Sequence, residues 1–205
     1  MLASLRAAAV AAASLILIPT ASSAQATAQA AHSPWRVFAG VAFGSVYDDE
    51  GSLGNGPEVS VGIGHALTPR WSVEGVAFRH AHERTDAFRV DADVTGAIGR
   101  IAVHFGAEEA PARFFLAGGV GVARHGGTVG FVGGPPESPV VEPRRSFSAT
   151  GLVTEIGLGV DMSLGRRVFL RPEVRARWSS LERPDFGPEP PYLSGLAGVS
   201  VGWRR

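Results

Sequence analysis

Apolar residues alternate with polar or small ones along most of the chain, and the clearest stretch is LVTEIGLGVDMSL, Leu152 to Leu164. Leu152, Ile156, Leu158, Val160, Met162 and Leu164 share one face, interrupted by Thr154, while Glu155, Gly157, Gly159, Asp161 and Ser163 share the other. A period of two predicts a β-strand lying between two different environments. One environment is apolar and the other accepts charge.

The same period divides the remaining chain into about eight strands. The first runs from Trp35 to about Val46, with Trp35, Val37, Ala39, Val41 and Phe43 opposite Arg36, Gly40 and Gly44. The second, Glu58 to Leu67, sets Val59, Val61, Ile63 and Leu67 against Glu58, Ser60, Gly62 and Gly64. A third begins with Trp71 and Val73 against Ser72 and Glu74. In the fourth, Phe88, Val90, Ala92, Val94 and Ile98 oppose Arg89, Asp91, Asp93 and Thr95, and then Ile101, Val103 and Phe105 become the apolar set. That change of phase predicts a β-bulge near Gly99. The fifth covers Ala112 to Arg124, and the stretch above is the sixth. The seventh turns Val168, Leu170, Val174, Ala176 and Trp178 away from Arg171, Glu173, Arg175 and Arg177, and the eighth carries Leu193, Ala197, Val199, Val201 and Trp203. Pro172 falls inside the seventh, where it supplies no N–H to a ladder.

Connections after strands two, four and six are short, and the others are mostly longer. The longest, His125 to about Arg145, contains Gly133-Gly134-Pro135-Pro136 and Pro139 and is expected to be irregular and exposed. Short turns at one end and long loops at the other are the pattern of a membrane-spanning barrel with its short turns in the periplasm. Strands that are apolar on one face and charged on the other fit it too, with lipid outside and a polar lumen inside.

The N-terminus supports export. Arg6 precedes the apolar run Ala7 to Ile18, Pro19 breaks it, and small residues follow, so cleavage is expected near Ala24 or Ala26. The expected organisation is a signal peptide over 1–24, a short periplasmic linker over 25–33 and one barrel domain over 34–205. The absence of cysteine excludes a disulfide scaffold, and a formal net charge of zero gives no global field for nucleic acid.

Most of the mature chain resembles the small OmpA/OmpX-like outer-membrane β-barrel superfamily. The resemblance rests on the exported N-terminus, on Leu67-Thr68-Pro69-Arg70-Trp71, on the stretch Gly165 to Arg175, and on a last strand with Gly198, Val201 and Trp203 at the spacing of an assembly signal. It implies an antiparallel, up-and-down transmembrane β-barrel of about eight strands, porin-like in fold, monomeric, in the outer membrane of a Gram-negative envelope. Implied partners are outer-membrane lipid, lipopolysaccharide, the barrel assembly machinery and periplasmic chaperones. Implied roles are membrane integrity, adhesion or lipopolysaccharide contact, with no enzyme activity and no cofactor.

In such a barrel Glu74, Asp91, Asp93, Glu155, Asp161, Arg171, Glu173, Arg175 and Arg177 are expected to fill the lumen as a charge network, since about eight strands leave room for side chains but hardly for a channel. Asp161 should lie across from Phe169 or beside Arg171, and Glu155 near Arg175 and Arg177. Trp35, Trp71, Trp178 and Trp203 fall near strand ends on the apolar face and are expected at the membrane interfaces.

Other motifs point less far. His80 and His82 share a face near Glu83 but have no third placed ligand, so they are expected at an exposed loop end rather than on a metal. His65, His104 and His125 show no partner spacing for nucleophilic catalysis. Gly118-Gly119-Val120-Gly121 lies inside a strand and is no phosphate loop, and Asp48-Asp49-Glu50 reads as a solvated tip. The rival readings are a soluble periplasmic barrel that binds a small ligand and a lipid A-modifying barrel enzyme.

Overall fold

The computed structural model describes residues 35–48, 51–85, 88–133, 140–141, 145–181 and 192–204. The expected signal peptide, the linker and the pair Asp49-Glu50 lie outside the described residues. The strands are β1 (Trp35–Asp48), β2 (Gly51–Ala66), β3 (Trp71–Thr85), β4 (Phe88–Phe105), β5 (Ala112–Gly133), β6 (Val140–Val141), β7 (Arg145–Ser163), β8 (Val168–Leu181) and β9 (Tyr192–Arg204). Their order is β4-β3-β2-β1-β9-β8-β7-β5, with β4 also pairing β5, so eight antiparallel strands close on themselves. β6 is a two-residue addition to the far end of β5.

Closure follows from the alternation. On β7, Leu152, Ile156 and Leu158 are exposed while Val153, Glu155 and Asp161 are buried. The same parity holds on β1, where Val37, Val41 and Phe43 face out and Phe38, Ala42 and Val46 face in. The outward apolar rows, such as Leu152 to Met162 on β7 and Leu193 to Trp203 on β9, match the roughly 9–11 residues a tilted strand needs to cross a bilayer. With the apolar face outside and charge inside, the soluble-barrel reading has no support.

Some sequence expectations change. No bulge occurs at Gly99: β4 keeps one register against β3, where Gly99 faces Gly75, and against β5, where it faces Val120. The apparent phase change arises because Val94 and Ile98 point inward and pack with Phe78, Ala123 and Val153. The upper lumen is therefore apolar on this side. The stretch read as a long loop from His125 is largely strand, since β5 continues to Gly133 and β7 starts at Arg145. Likewise β1 and β2, and β3 and β4, run on until two residues separate them, so the connections after strands one and three are extended hairpins rather than loops. Their polar, glycine-containing extensions alternate too weakly to be recognised from the sequence.

Two local features explain how the lumen is filled. Phe38, Phe78, Phe115 and Phe169 point inward, and each lies against an inward glycine. A Cβ on Gly202 would overlap the Phe169 ring, and one on Gly62 would overlap the Phe38 ring. Glycine at these positions is a space requirement of the rings. Pro172 is accommodated differently: it pairs with Val199 of β9, while the β7–β8 ladder skips from Gly159–Glu173 to Met162–Leu170 and so places no partner against its missing donor.

Candidate functional site

The lumen holds the largest concentration of buried charge. Arg171 on β8 is fully buried; its Nε donates to Asp161 Oδ1 at 2.6 Å, its Nη2 to Asp161 Oδ2 at 3.0 Å and its Nη1 to Glu74 Oε1 at 3.0 Å. Glu74 on β3 also takes Arg100 Nε at 2.7 Å and Arg36 Nη2 at 2.5 Å. Arg100 on β4 reaches Glu173 at 2.8 Å and Glu155 at 3.3 Å. Toward the end of the barrel away from Trp35 and Arg204, Arg177 joins Glu155 at 2.7 Å and Glu58 at 2.6 Å, and Arg175 joins Glu58 at 2.9 Å and Glu155 at 3.8 Å.

Arg36, Arg100, Arg171, Arg175 and Arg177 thus face Glu58, Glu74, Glu155, Asp161 and Glu173, and the formal charges of this network cancel. Cancellation matters because a lone buried charge carries a large desolvation cost, whereas paired and hydrogen-bonded charges offset much of it. The phenyl rings complete the packing: the Arg171 guanidinium lies 4.6 Å from the Phe115 centroid and 5.0 Å from Phe38, and that of Arg177 lies 3.6 Å from Phe78. The pairs bridge β1, β2, β3, β4, β7 and β8 through the barrel interior, so they tie together strands that share no backbone ladder.

Of the residues expected here, Glu74, Glu155, Asp161, Arg171, Glu173, Arg175 and Arg177 lie in this network. Asp91 and Asp93 do not. With no bulge in β4 they have the parity of Thr95 and Ala97, away from inward Val94 and Ile98, and Asp93 pairs with exposed Arg79 at 3.0 Å. Sequence reasoning missed Arg36, Glu58 and Arg100, although Arg36 and Glu58 already stood on inward faces by period; it also missed the inward phenylalanines.

The histidines lie elsewhere than expected. His80, His82 and His125 are buried in the upper lumen, with His82 Nε2 3.3 Å from His125 Nε2 and the His125 ring packed edge-on against Phe147 and Tyr192. Among the described residues no three acidic, cysteine or histidine side chains are grouped to hold a metal ion. At the opposite end, near Trp35 and Arg204, His104 Nε2 lies 3.1 Å from Ser72 Oγ, and its Nδ1 lies 3.6 Å from Asp161. This order of groups is that of a nucleophile, a base and an orienting acid. Arg36, however, donates to Ser72 Oγ and lies 3.3 Å from His104 Nε2, so a cation occupies the position from which the base would take the serine proton.

Trp35, Trp71, Trp178 and Trp203 are all about half exposed on the outer face. The first two stand at the starts of β1 and β3 and Trp203 at the end of β9, hence at one rim, while Trp178 lies near the opposite end of β8. Val201 and Trp203 face outward, and Gly198 pairs with Ala42 and Glu173.

A closed antiparallel barrel with a lipid-compatible exterior, an aromatic rim and a charge-filled lumen defines a small integral barrel of the outer membrane. The family comparison agrees: the model of the outer membrane protein beta-barrel domain matches residues 11–204, and the chain belongs to that family. Among solved structures, Neisserial surface protein A superposes with a TM-score of 0.63 at 14% identity, covering 84% of this chain and 98% of that one. Ail, the attachment invasion locus protein of Yersinia pestis, gives 0.55 at 13% identity, covering 85% and 99%. A major outer membrane protein of Thermus thermophilus gives 0.52 at 12% identity, covering 83% and 99%. No curated protein sequence matches significantly.

Proposed function

We propose that this outer-membrane barrel is non-conducting and non-catalytic, and that it acts as a structural and surface-interaction protein. The apolar belt anchors it in lipid. Its extracellular end meets lipopolysaccharide or ligands at the cell surface, contributing to envelope integrity or adhesion. The observation that carries this reading is the lumen, where neutral sets of guanidiniums and carboxylates at hydrogen-bond distance take the space a water path needs. The chain reaches its membrane through cleavage of the segment 1–24, and the last strand, with Gly198, Val201 and Trp203, is the segment that the assembly machinery and periplasmic chaperones engage.

The test is conductance. Purified protein inserted into planar bilayers is expected to give no large, stable current steps, and long-lived, ohmic steps in wild-type protein contradict the plugged lumen. N-terminal sequencing of the protein recovered from outer membranes tests export: a start after Ala24 or Ala26 is expected, and retention of Arg6 overturns it.

A further inference from the structure

At the end of the barrel where both described termini lie, the lumen opens into a cavity of about 220 Å3. Its lining includes Arg36, Ser72, His104, Arg113, Asp161 and Arg204, contributed by six different strands, with Trp71 on one wall. The carboxylate of Asp161 is engaged by both Arg171 and Arg36. Arg113 directs Nη2 to the carbonyl oxygen of Pro69 at 2.5 Å, and Arg204 directs Nη1 to Ser163 Oγ at 3.1 Å. These acceptors are neutral. The remaining acid of the lining, Glu108 in the β4–β5 turn, has contacts of its own.

Two further observations mark the cavity as a ligand site. His104 is 5% exposed and its Nδ1 has no hydrogen-bond partner, as is true of the buried Nε atoms of Arg36 and Arg113. Buried polar atoms without a protein partner are rare in folded proteins, and contact with a ligand is one way such atoms are satisfied. Arg36 and Asp161 are already balanced within the lumen network, which leaves the guanidiniums of Arg113 and Arg204 against the carboxylate of Glu108 in a partly enclosed space, where like charges repel more strongly than in bulk water.

We propose that this cavity binds a phosphate-type oxyanion at the periplasmic mouth of the barrel, with Arg113 and Arg204 as its principal ligands and His104, whose Nε2 is held by Ser72, donating from Nδ1 as a further hydrogen-bonding group. A tetrahedral oxyanion accepts hydrogen bonds from several directions, which suits donors converging from separate strands, whereas a planar carboxylate is served by one guanidinium fork. The phosphate is that of an inner-leaflet lipid headgroup reaching over the rim or of a soluble periplasmic compound. The inference rests on the barrel geometry and is independent of whether the lumen above conducts.

The test uses the full barrel in octyl glucoside, which carries no phosphate, titrated with sodium phosphate and with sodium acetate at constant ionic strength. Calorimetry gives the affinity, and Trp71 in the cavity wall gives a fluorescence signal that a Trp71→Phe variant should lose. One phosphate per barrel is expected, with acetate weaker. Arg113→Gln combined with Arg204→Gln should weaken phosphate binding by on the order of tenfold or more, since each removes a charge-assisted hydrogen bond. Arg79→Gln with Arg124→Gln, on the outer surface, should leave it unchanged. Retention of heat-modifiable migration shows that each variant still folds. Repeating the titration in phosphatidylglycerol nanodiscs separates the sources: competition indicates a lipid headgroup, and unchanged affinity a soluble phosphate. Absence of phosphate binding in detergent, equal affinity for acetate, or unchanged affinity in the Arg113/Arg204 variant overturns the proposal.

Discussion

Replacing Arg171 by Met probes the lumen network where it is most concentrated. Arg171 is fully buried and makes two hydrogen bonds to Asp161 and contacts both oxygens of Glu74. In its absence Glu74 keeps Arg36 and Arg100, and Asp161 keeps Arg36, so the two carboxylates are not abandoned, but one negative charge in the set is left without a balancing cation. Breaking a buried pair from one side costs about 3–5 kcal/mol. Methionine fills part of the space among Phe38, Phe115 and Phe169, which keeps the cavity contribution small. Removing the uncompensated charge as well should recover stability, because a buried pair exchanged for apolar side chains is often neutral. Arg171→Met with Asp161→Leu is therefore expected to be more stable than Arg171→Met alone by at least about 1 kcal/mol, a coupling that a double-mutant cycle resolves. The assay is reversible urea unfolding of the barrel in lipid vesicles, followed by heat-modifiable migration. A single-variant cost below about 0.5 kcal/mol, or costs that simply add, would refute the network as an energetic unit.

Three further outcomes are expected. Gly202→Val drives a side chain into the Phe169 ring and should cost about 1–3 kcal/mol in the same assay, whereas Gly99→Ala, whose Cβ would meet nothing nearer than Val120 O at 4.0 Å, should change stability by less than about 0.5 kcal/mol. Ile156→Arg, in the middle of the outward row of β7, should cost about 2–4 kcal/mol in bilayers, and a negligible cost would show that this face does not meet hydrocarbon. His82→Leu should cost about 1–3 kcal/mol, because it leaves buried His125 Nε2 without its partner at 3.3 Å, whereas His82→Leu with His125→Leu, which removes both polar partners, should lie closer to wild type; a single variant indistinguishable from wild type would show that the His82–His125 contact carries no more than packing.

The strand count, the outward faces and several ion-pair partners could be read from period two, because lipid outside and charge inside force a strict alternation on β1, β7, β8 and β9. The alternation fails where the environments stop differing. On β4, Val94 and Ile98 face an apolar part of the lumen while Asp91 and Asp93 lie on the outward side, so the chemical pattern inverts with no change in the backbone. His80 and His82, expected at an exposed loop end, are polar residues enclosed by strands that continue beyond the apolar belt. The cavity at the periplasmic mouth left no sequence signal, since Arg36, Ser72, His104, Arg113, Asp161 and Arg204 are scattered along the chain and only closure brings them together.

The apolar face of each strand meets lipid and the charged face a closed lumen, and accessibility along a single strand tests this most directly. Because the chain has no cysteine, single cysteines can be introduced along β7 and spin-labelled for accessibility measurements in bilayers. Labels at Leu152, Ile156 and Leu158 should be accessible to oxygen but not to a water-soluble nickel chelate, while labels at Val153 and Glu155 should be shielded from both. Outward positions that collide with the nickel chelate, or accessibility without a period of two, contradict the account.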